Sequence, residues 1–176
     1  MSDNINDEDQ IIDEDTVRFF VWSVFNYFKT TTDIEPEVGP PYLLDNFKHN
    51  DYTGIIGVSG SQKGAVYFTM GQDLLNKMLT ITHPELDDWE QTEESMNEMR
   101  MDFSGEMANT VSGNVRNYLG EQFLISVPVV VTAPDSVMRV QGNAKGIVFP
   151  ITWSGEQCHL VLGLEKNQSI SQAINE

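Results

Sequence analysis

Positive charge is scarce in this sequence. Its 10 Lys and Arg face 27 Asp and Glu, for a formal net charge of −17 at pH 7. With no basic stripe to displace counterions from phosphates, nucleic acid is excluded as a partner. The same deficit argues against anionic membrane surfaces. Cysteine is nearly absent: Cys158 stands alone. An internal disulfide is therefore excluded, a reducing compartment is permitted, and Cys158 reads as a small residue in a strand. No run of 18 apolar residues occurs, so no membrane insertion is expected. The N-terminus is acidic and lacks the basic stretch that opens a signal peptide. Together these features predict a cytoplasmic protein.

Recognisable cofactor motifs are missing too. His49, His83 and His159 are scattered, without metal spacing. No bound cofactor or metal is expected in this chain. No Gly-x-Ser-x-Gly elbow is present. Gly57-Val-Ser-Gly60-Ser-Gln-Lys63-Gly64 resembles a phosphate loop in part. However, its lysine precedes the glycine, and a strand follows where a helix is needed.

What remains is a 176-residue chain with 40% hydrophobic content, enough for one globular domain with a sizeable core. Residues 1–13 read as a disordered acidic tail and 14–176 as a single domain. Asp15 or Thr16 can cap a first helix running to about Lys29. Glu37–Leu44 reads as an irregular strand, kept to an edge by Pro40 and Pro41. Thr53–Ser59 and Gly64–Met70 read as strands joined by a turn. A short helix follows over Gln72–Leu79. A long helix is predicted from about Gln91 to Tyr118, with Met96, Met99, Phe103, Met107, Val111, Val115 and Tyr118 forming one apolar stripe. Strands follow around Gln122–Thr132, Lys145–Trp153 and Gln157–Leu164, then a final short helix over Ile170–Ile174.

The two halves read alike. Residues 15–80 and 91–176 each give helix, Pro-containing strand, strand, strand, helix, with Pro40-Pro41 matched by Pro128. The expected fold class is α+β: a duplicated unit whose strands merge into an antiparallel sheet, with long helices packed on it.

One stretch stands out for chemistry. Asp102, Glu106 and Asn109 fall at i, i+4 and i+7 of the long helix. On an ideal wheel they lie, with Gly113, within about 60° of one another. The apolar stripe is centred well over 90° away, so the polar row would face solvent or a partner. Gly105, Ala108 and Ser112 flank it and would leave a bare surface for another backbone. The plainer alternative is an ordinary solvated helix face. The acids Glu85, Asp87, Asp88, Glu90, Glu93, Glu94 and Glu98 just upstream suit the positive end of the helix dipole, or else dock a basic partner.

The Asp102-x3-Glu106-x2-Asn109 pattern resembles the active helix of the CheC/CheX/FliY chemotaxis phosphatases, which carries Asp/Ser-x3-Glu-x2-Asn. The run Gly105–Asn114 is similar to the CheX form of that helix. Ile55–Gly60 with Gly64–Phe68 resembles the family's sheet hairpin, and Ile125-Ser-Val-Pro128 also fits. The resemblance spans roughly residues 15–165. It implies hydrolysis of the aspartyl phosphate of a phosphorylated response regulator (CheY-like), with Mg²⁺ held by that partner. Glu106 would pair with the regulator's lysine and Asn109 would orient the attacking water. Asp102, Gly105 and Gly113 would support the motif. A carboxamide can hold water as donor and acceptor without adding charge near a phosphoryl dianion.

The first helix departs from the pattern. It offers Phe19-x3-Ser23-x2-Asn26, which keeps an Asn and lacks the Glu. One working site per chain is expected, as in the CheX-like branch, and that branch implies a homodimer. Two other readings stay open: a module that binds a receiver domain or motor protein without turnover, and a structural dimer with no signalling partner.

Overall fold

The computed structural model describes residues 12–85, 92–141 and 145–167. The acids before residue 12, Asp87, Asp88 and Glu90, and the expected helix over Ile170–Ile174 lie outside these.

The first helix, α1 (Glu14–Thr32), is capped by Asp13, two residues before Asp15 and three before Thr16, the caps its sequence suggests. Its N-cap is Asp13, whose carboxylate accepts from the Thr16 N–H and the Thr16 hydroxyl, both at 2.8 Å. Gln62 donates to the same carboxylate at 2.8 Å. Asp13 wins over Asp15 because it lies three residues before the first amide it must satisfy, Thr16. Ile12 is buried in the core, so the fold takes in two residues assigned from sequence to the tail.

The strands are β1 (Glu37–Val38), β2 (Tyr42–Leu44), β3 (Asn46–Lys48), β4 (Tyr52–Gly60), β5 (Gln62–Met70), β6 (Phe123–Ile125), β7 (Val129–Val131), β8 (Val137–Arg139), β9 (Gly146–Trp153) and β10 (Glu156–Lys166). Two more helices complete the fold, α2 (Gln72–Thr82) and α3 (Glu93–Leu119). The long helix thus begins at Glu93, where the Thr92 side chain caps the Ser95 N–H. The main sheet is antiparallel in the order β1-β9-β10-β5-β4-β6, with β2 also on β9 and β7 also on β4. β3 and β8 form a separate ribbon.

This arrangement is an exchange between two halves. The proline-bearing edge of the first half, β1 and β2, pairs with β9 of the second. The edge of the second half, β6 and β7, pairs with β4 of the first. Each edge carries the same bulge. Gly39-Pro40-Pro41 faces two residues of β9, and Ser126-Val127-Pro128 faces two residues of β4. Equivalent bonds hold both, Gly39 N–H to Pro150 O at 2.8 Å and Ser126 N–H to Gly57 O at 2.9 Å. The strand expected over Gln122–Thr132 is therefore two strands. Pro128 has no N–H for the ladder, and the extra residue breaks its continuity.

The sheet is buried on both faces. Val66 and Phe68 of β5, with Leu160, Leu162 and Leu164 of β10, pack under the helices. Ala65 and Tyr67 of β5, with Val161 of β10, face Phe47 and Val140 on the β3–β8 side. That second layer was not apparent in the sequence, because its three-residue strands are too short to show a period. Cys158 sits in β10 at 0% exposure, and burial pushes its thiol far above the ordinary range.

One close approach fixes α3 to the sheet. A Cβ added to Gly54 of β4 would lie 2.8 Å from the Ser104 carbonyl oxygen and 2.9 Å from the Ala108 Cβ. Only glycine lets helix backbone and strand come this near. Gly54→Ala is expected to destabilise the protein by about 1–3 kcal/mol, as overpacking does. At this size each kcal/mol corresponds to roughly 2–4 °C in the thermal midpoint, so calorimetry checks it directly. An unchanged midpoint would mean that the contact is not a constraint.

Candidate active site

The helix α3 is pinned at its start by polar contacts. Arg100 is 3% exposed; it donates through Nε to Asn76 of α2 at 2.8 Å and pairs with Glu93 at 2.7 Å. Its hydrogen bond, and then its charge, hold the Glu93 carboxyl below the ordinary range. Tyr52 of β4 donates its hydroxyl to Asn97 at 2.7 Å. Further along, Phe103, Met107, Val111 and Val115 are buried at helical spacing, as their periodicity predicts. Met96 and Met99 pack against the core without being fully buried. Tyr118 leaves the stripe: it is 52% exposed and stacks on Phe19 at 4.8 Å between ring centroids.

This seating turns the opposite face outward. Asp102, Glu106 and Asn109 are all exposed on consecutive turns. Neither the Glu106 nor the Asn109 side chain is committed to a hydrogen bond or ion pair among the described residues. A free carboxylate and a free carboxamide one turn apart can therefore act on the same external group. The Glu106 charge is felt inside the protein by Tyr27 of α1. The Tyr27 phenol is driven above its ordinary range, first by burial and second by the Glu106 charge, against a hydrogen bond from Thr31. Among the described residues no group of three His, Cys, Asp or Glu could hold a metal ion. No helix among them is long and apolar enough to cross a membrane.

The small residues beside the motif do not form the bare outer face their size suggests. Gly105, Ala108 and Ser112 are buried within the chain's own fold, and Ala108 meets the sheet at Gly54. A Cβ on Gly105 would meet Val130 at 3.3 Å. Their size serves the close seating at Gly54. Gly113 is different: nothing lies within 4 Å of where its Cβ would stand.

The structure also changes the partner positions on α1. The C-caps Asp33 and Gly120 bond alike, to the carbonyls of Lys29 and Arg116, and both lead into the matched bulges. Counting back from these caps places Phe19 opposite Glu106 and Trp22 opposite Asn109. Ser23 and Asn26 are one turn out of register with the motif. Ser23 is buried and donates to the Val111 carbonyl at 3.0 Å, joining α1 to α3. Asn26 lies beside Glu106 on the wall of a shared cavity. The chain thus has one acidic–carboxamide face, on α3, and an aromatic cluster of Phe19, Trp22 and Tyr118 at the matching place on α1. Sequence spacing alone could not reveal this, since the misaligned Asn26 fits the pattern equally well.

Gly113→Ala is expected to stabilise α3 by about 1 kcal/mol, because a mid-helix glycine is replaced where there is room. The thermal midpoint should rise by roughly 2–4 °C. A fall would show that the position is strained in the native helix.

The family profile described as Chemotaxis phosphatase CheX matches residues 52–152, the span from β4 through α3 into β9. No curated protein matches the sequence. Among solved structures, a chemotaxis protein CheX from Vibrio vulnificus is 24% identical with a TM-score of 0.74, covering 86% of this chain and 99% of that one. A CheC-like protein from Shewanella oneidensis is 26% identical with a TM-score of 0.72, covering 85% of this chain and 97% of that one. The CheX–CheY–BeF3–Mg²⁺ complex from Borrelia burgdorferi matches at 18% identity and a TM-score of 0.66, covering 86% of this chain and 96% of that one.

Proposed function

The chain belongs to the CheX family of chemotaxis phosphatases, and from that premise we propose that it hydrolyses the aspartyl phosphate of a CheY-like response regulator. The observation that carries this reading is the row on α3. Glu106 and Asn109 are exposed, uncommitted and one turn apart, within the segment that matches the family. The complex of a CheX relative with CheY supports a receiver domain as the partner. Mg²⁺ is present in that relative's complex with CheY and is proposed to sit with the partner here, since among the described residues no group of three His, Cys, Asp or Glu could hold a metal ion.

The chemistry asked of the chain is positioning. Glu106 pairs with a lysine of the receiver and fixes the orientation of docking. Asn109 enters the phosphorylation pocket. Its Oδ1 accepts from a water and its Nδ2 donates, which aims a lone pair at phosphorus in line with the aspartyl oxygen. The water oxygen–phosphorus bond forms as the phosphorus–aspartyl oxygen bond breaks. The aspartate leaves as a carboxylate, and both of the water's protons stay with the phosphate, which departs as H2PO4⁻. A neutral carboxamide adds no charge beside the transferring phosphoryl group, and such transfers depend on positioning and electrostatics. Asp102 lies one turn back on the same face and supports docking. The functional unit is a cytoplasmic homodimer with one site per chain, since Phe19 and Trp22 replace the motif on α1.

A second reading has its own support. The aromatic cluster at the counterpart position and the strong acidity suit a module that binds a receiver without turnover. The two readings separate on Asn109→Ala. If the protein is a phosphatase, this variant should lose roughly 10²-fold or more of its phosphate release from an Mg²⁺-loaded phosphorylated receiver. It should still unfold within about 0.5 kcal/mol of the wild type, as an exposed substitution does. Full activity in the variant would remove Asn109 from the mechanism. Binding by the wild type without any phosphate release would favour the binding module.

A further inference from the structure

The only two cations of α1, Arg18 and Lys29, stand at the two ends of an apolar groove. The groove, of about 480 Å³, runs between the helix and β1. Val17, Val21, Trp22 and Phe25 line it from α1, and Pro36 and Val38 from the strand side. Arg18 lines its near end. At the far end the Lys29 Nζ stands 6.0 Å from the centre of the Phe25 ring. Trp22 is 44% exposed along it. Among the described residues Arg18 pairs with Glu14 at 2.7 Å and Lys29 pairs with Glu35, and both pairs are exposed. Exposed pairs of this kind hold weakly, so either cation can take another carboxylate. The matching place on α3 has no such opening, because Gly105 and Ala108 seat against Val130 and Gly54.

A cation, an apolar floor and a second cation call for a carboxylate, an apolar side chain and a second carboxylate in the same order. One segment of the chain has this order and the reach to use it. Residues 1–11, outside the described residues, carry Asp3, then Ile5, then Asp7, Glu8 and Asp9. They join the fold at Ile12, which is buried just ahead of the α1 cap. Counted from Ile12 along the helix axis, Arg18 lies about 9 Å away, Val21 to Phe25 about 14–20 Å, and Lys29 about 26 Å. An extended chain running back beside α1 reaches about 10 Å at Asp9, about 23 Å at Ile5 and about 30 Å at Asp3. Each group can therefore meet its counterpart, in sequence order and with length to spare. We infer that the N-terminal segment of this chain docks in the α1 groove. Asp7, Glu8 and Asp9 serve Arg18, Ile5 packs on Val21 and Phe25 over Trp22, and Asp3 serves Lys29. The groove is then a receptor for an acidic–apolar–acidic segment, and any partner segment of the same order must displace the chain's own. The inference does not rest on the reading of α3.

The test uses the full chain. Ser2→Cys provides one reactive thiol, since Cys158 is wholly buried. A nitroxide on that thiol should erase the ¹⁵N-detected signals of the Trp22 indole and of the Val21 and Phe25 amides, and reducing the nitroxide should restore them. Val137 of β8, 70% exposed on the other side of the sheet, should keep its signal throughout. Adding Ile5→Asp removes the apolar anchor and should lower the bound-to-free ratio about tenfold or more. Raising sodium chloride from about 0.1 M to about 1 M shortens the screening length from about 10 Å to about 3 Å and should lower that ratio severalfold. Trp22 broadened no more than Val137 overturns the docking. Broadening at Trp22 that neither Ile5→Asp nor salt reduces overturns the assigned contacts. Equal broadening when spin-labelled chain is mixed with ¹⁵N chain that carries no label would mean that a second copy supplies the segment, and overturns docking within one chain.

Discussion

Helix α3 and strand β4 touch backbone to backbone, and the site depends on that contact. At Gly54 there is no room for a Cβ between the strand and the turn Ser104–Ala108. Once this turn is held down, the rotation of α3 about its own axis is set. Phe103, Met107, Val111 and Val115 must go into the core, and Asp102, Glu106 and Asn109 must point away from it. The polar row gains its order from the buried face. Two carboxylates and a carboxamide on a loosely held helix would lose side-chain and backbone freedom on meeting a partner. Here most of that ordering cost is met in folding.

The exchange of edge strands locks two like halves together, and it is their side chains that leave one such face. β6 and β7 cross to β4, so the strand that follows α3 packs beneath α3 on the other half's hairpin. The mirrored crossing puts β1 and β2 on β9. The two crossings lock the halves together, since neither edge can leave without stripping the other half's hairpin. Side chains then break the symmetry. β9 bears Ile147 where β4 bears Gly54, and α1 bears Val17 and Val21 where α3 bears Ser104 and Ala108. Bulk at both surfaces prevents the close seating, and an apolar groove lined by Val17, Val21, Trp22, Phe25, Pro36 and Val38 opens beside α1. The fold offers two equivalent positions, and the sequence equips one of them with polar chemistry.

Much of this was legible from sequence, for reasons that differ by element. The buried stripe of α3 was readable because its period is long and its residues large. The edge character of Glu37–Leu44 followed from two prolines that cannot donate. The outward aim of Asp102, Glu106 and Asn109 followed from helix geometry. The β3–β8 ribbon was not readable, since three residues carry no period and its partner Tyr67 looks like any strand aromatic. Nor was the register between α1 and α3. Asn26 mimics the spacing of a second motif, and only the matched caps and bulges show that Trp22 is the true counterpart of Asn109. The small residues were misread for a related reason. Size alone does not say which neighbour comes close, and Gly105 and Ala108 meet the protein's own sheet.

The charge of the site bears on its role as well. Glu94, Glu98, Asp102 and Glu106 are exposed on successive turns of α3. Like charges at i and i+4 disfavour a helix by about 0.2–0.5 kcal/mol per pair. The helix dipole offsets this only over the first turn, where Glu93 and Glu94 sit. Asp102 and Glu106 lie beyond its reach, and among the described residues no lysine or arginine is paired with either. Their repulsion is therefore carried by the packing of Phe103 and Met107 beneath them. A structural role would be served as well by uncharged side chains at these positions. A role in docking a cation would not, because an arriving ammonium relieves the repulsion and gains a partner in the same step. The electrostatics of α3 thus suit the proposed docking of a cation beside Glu106.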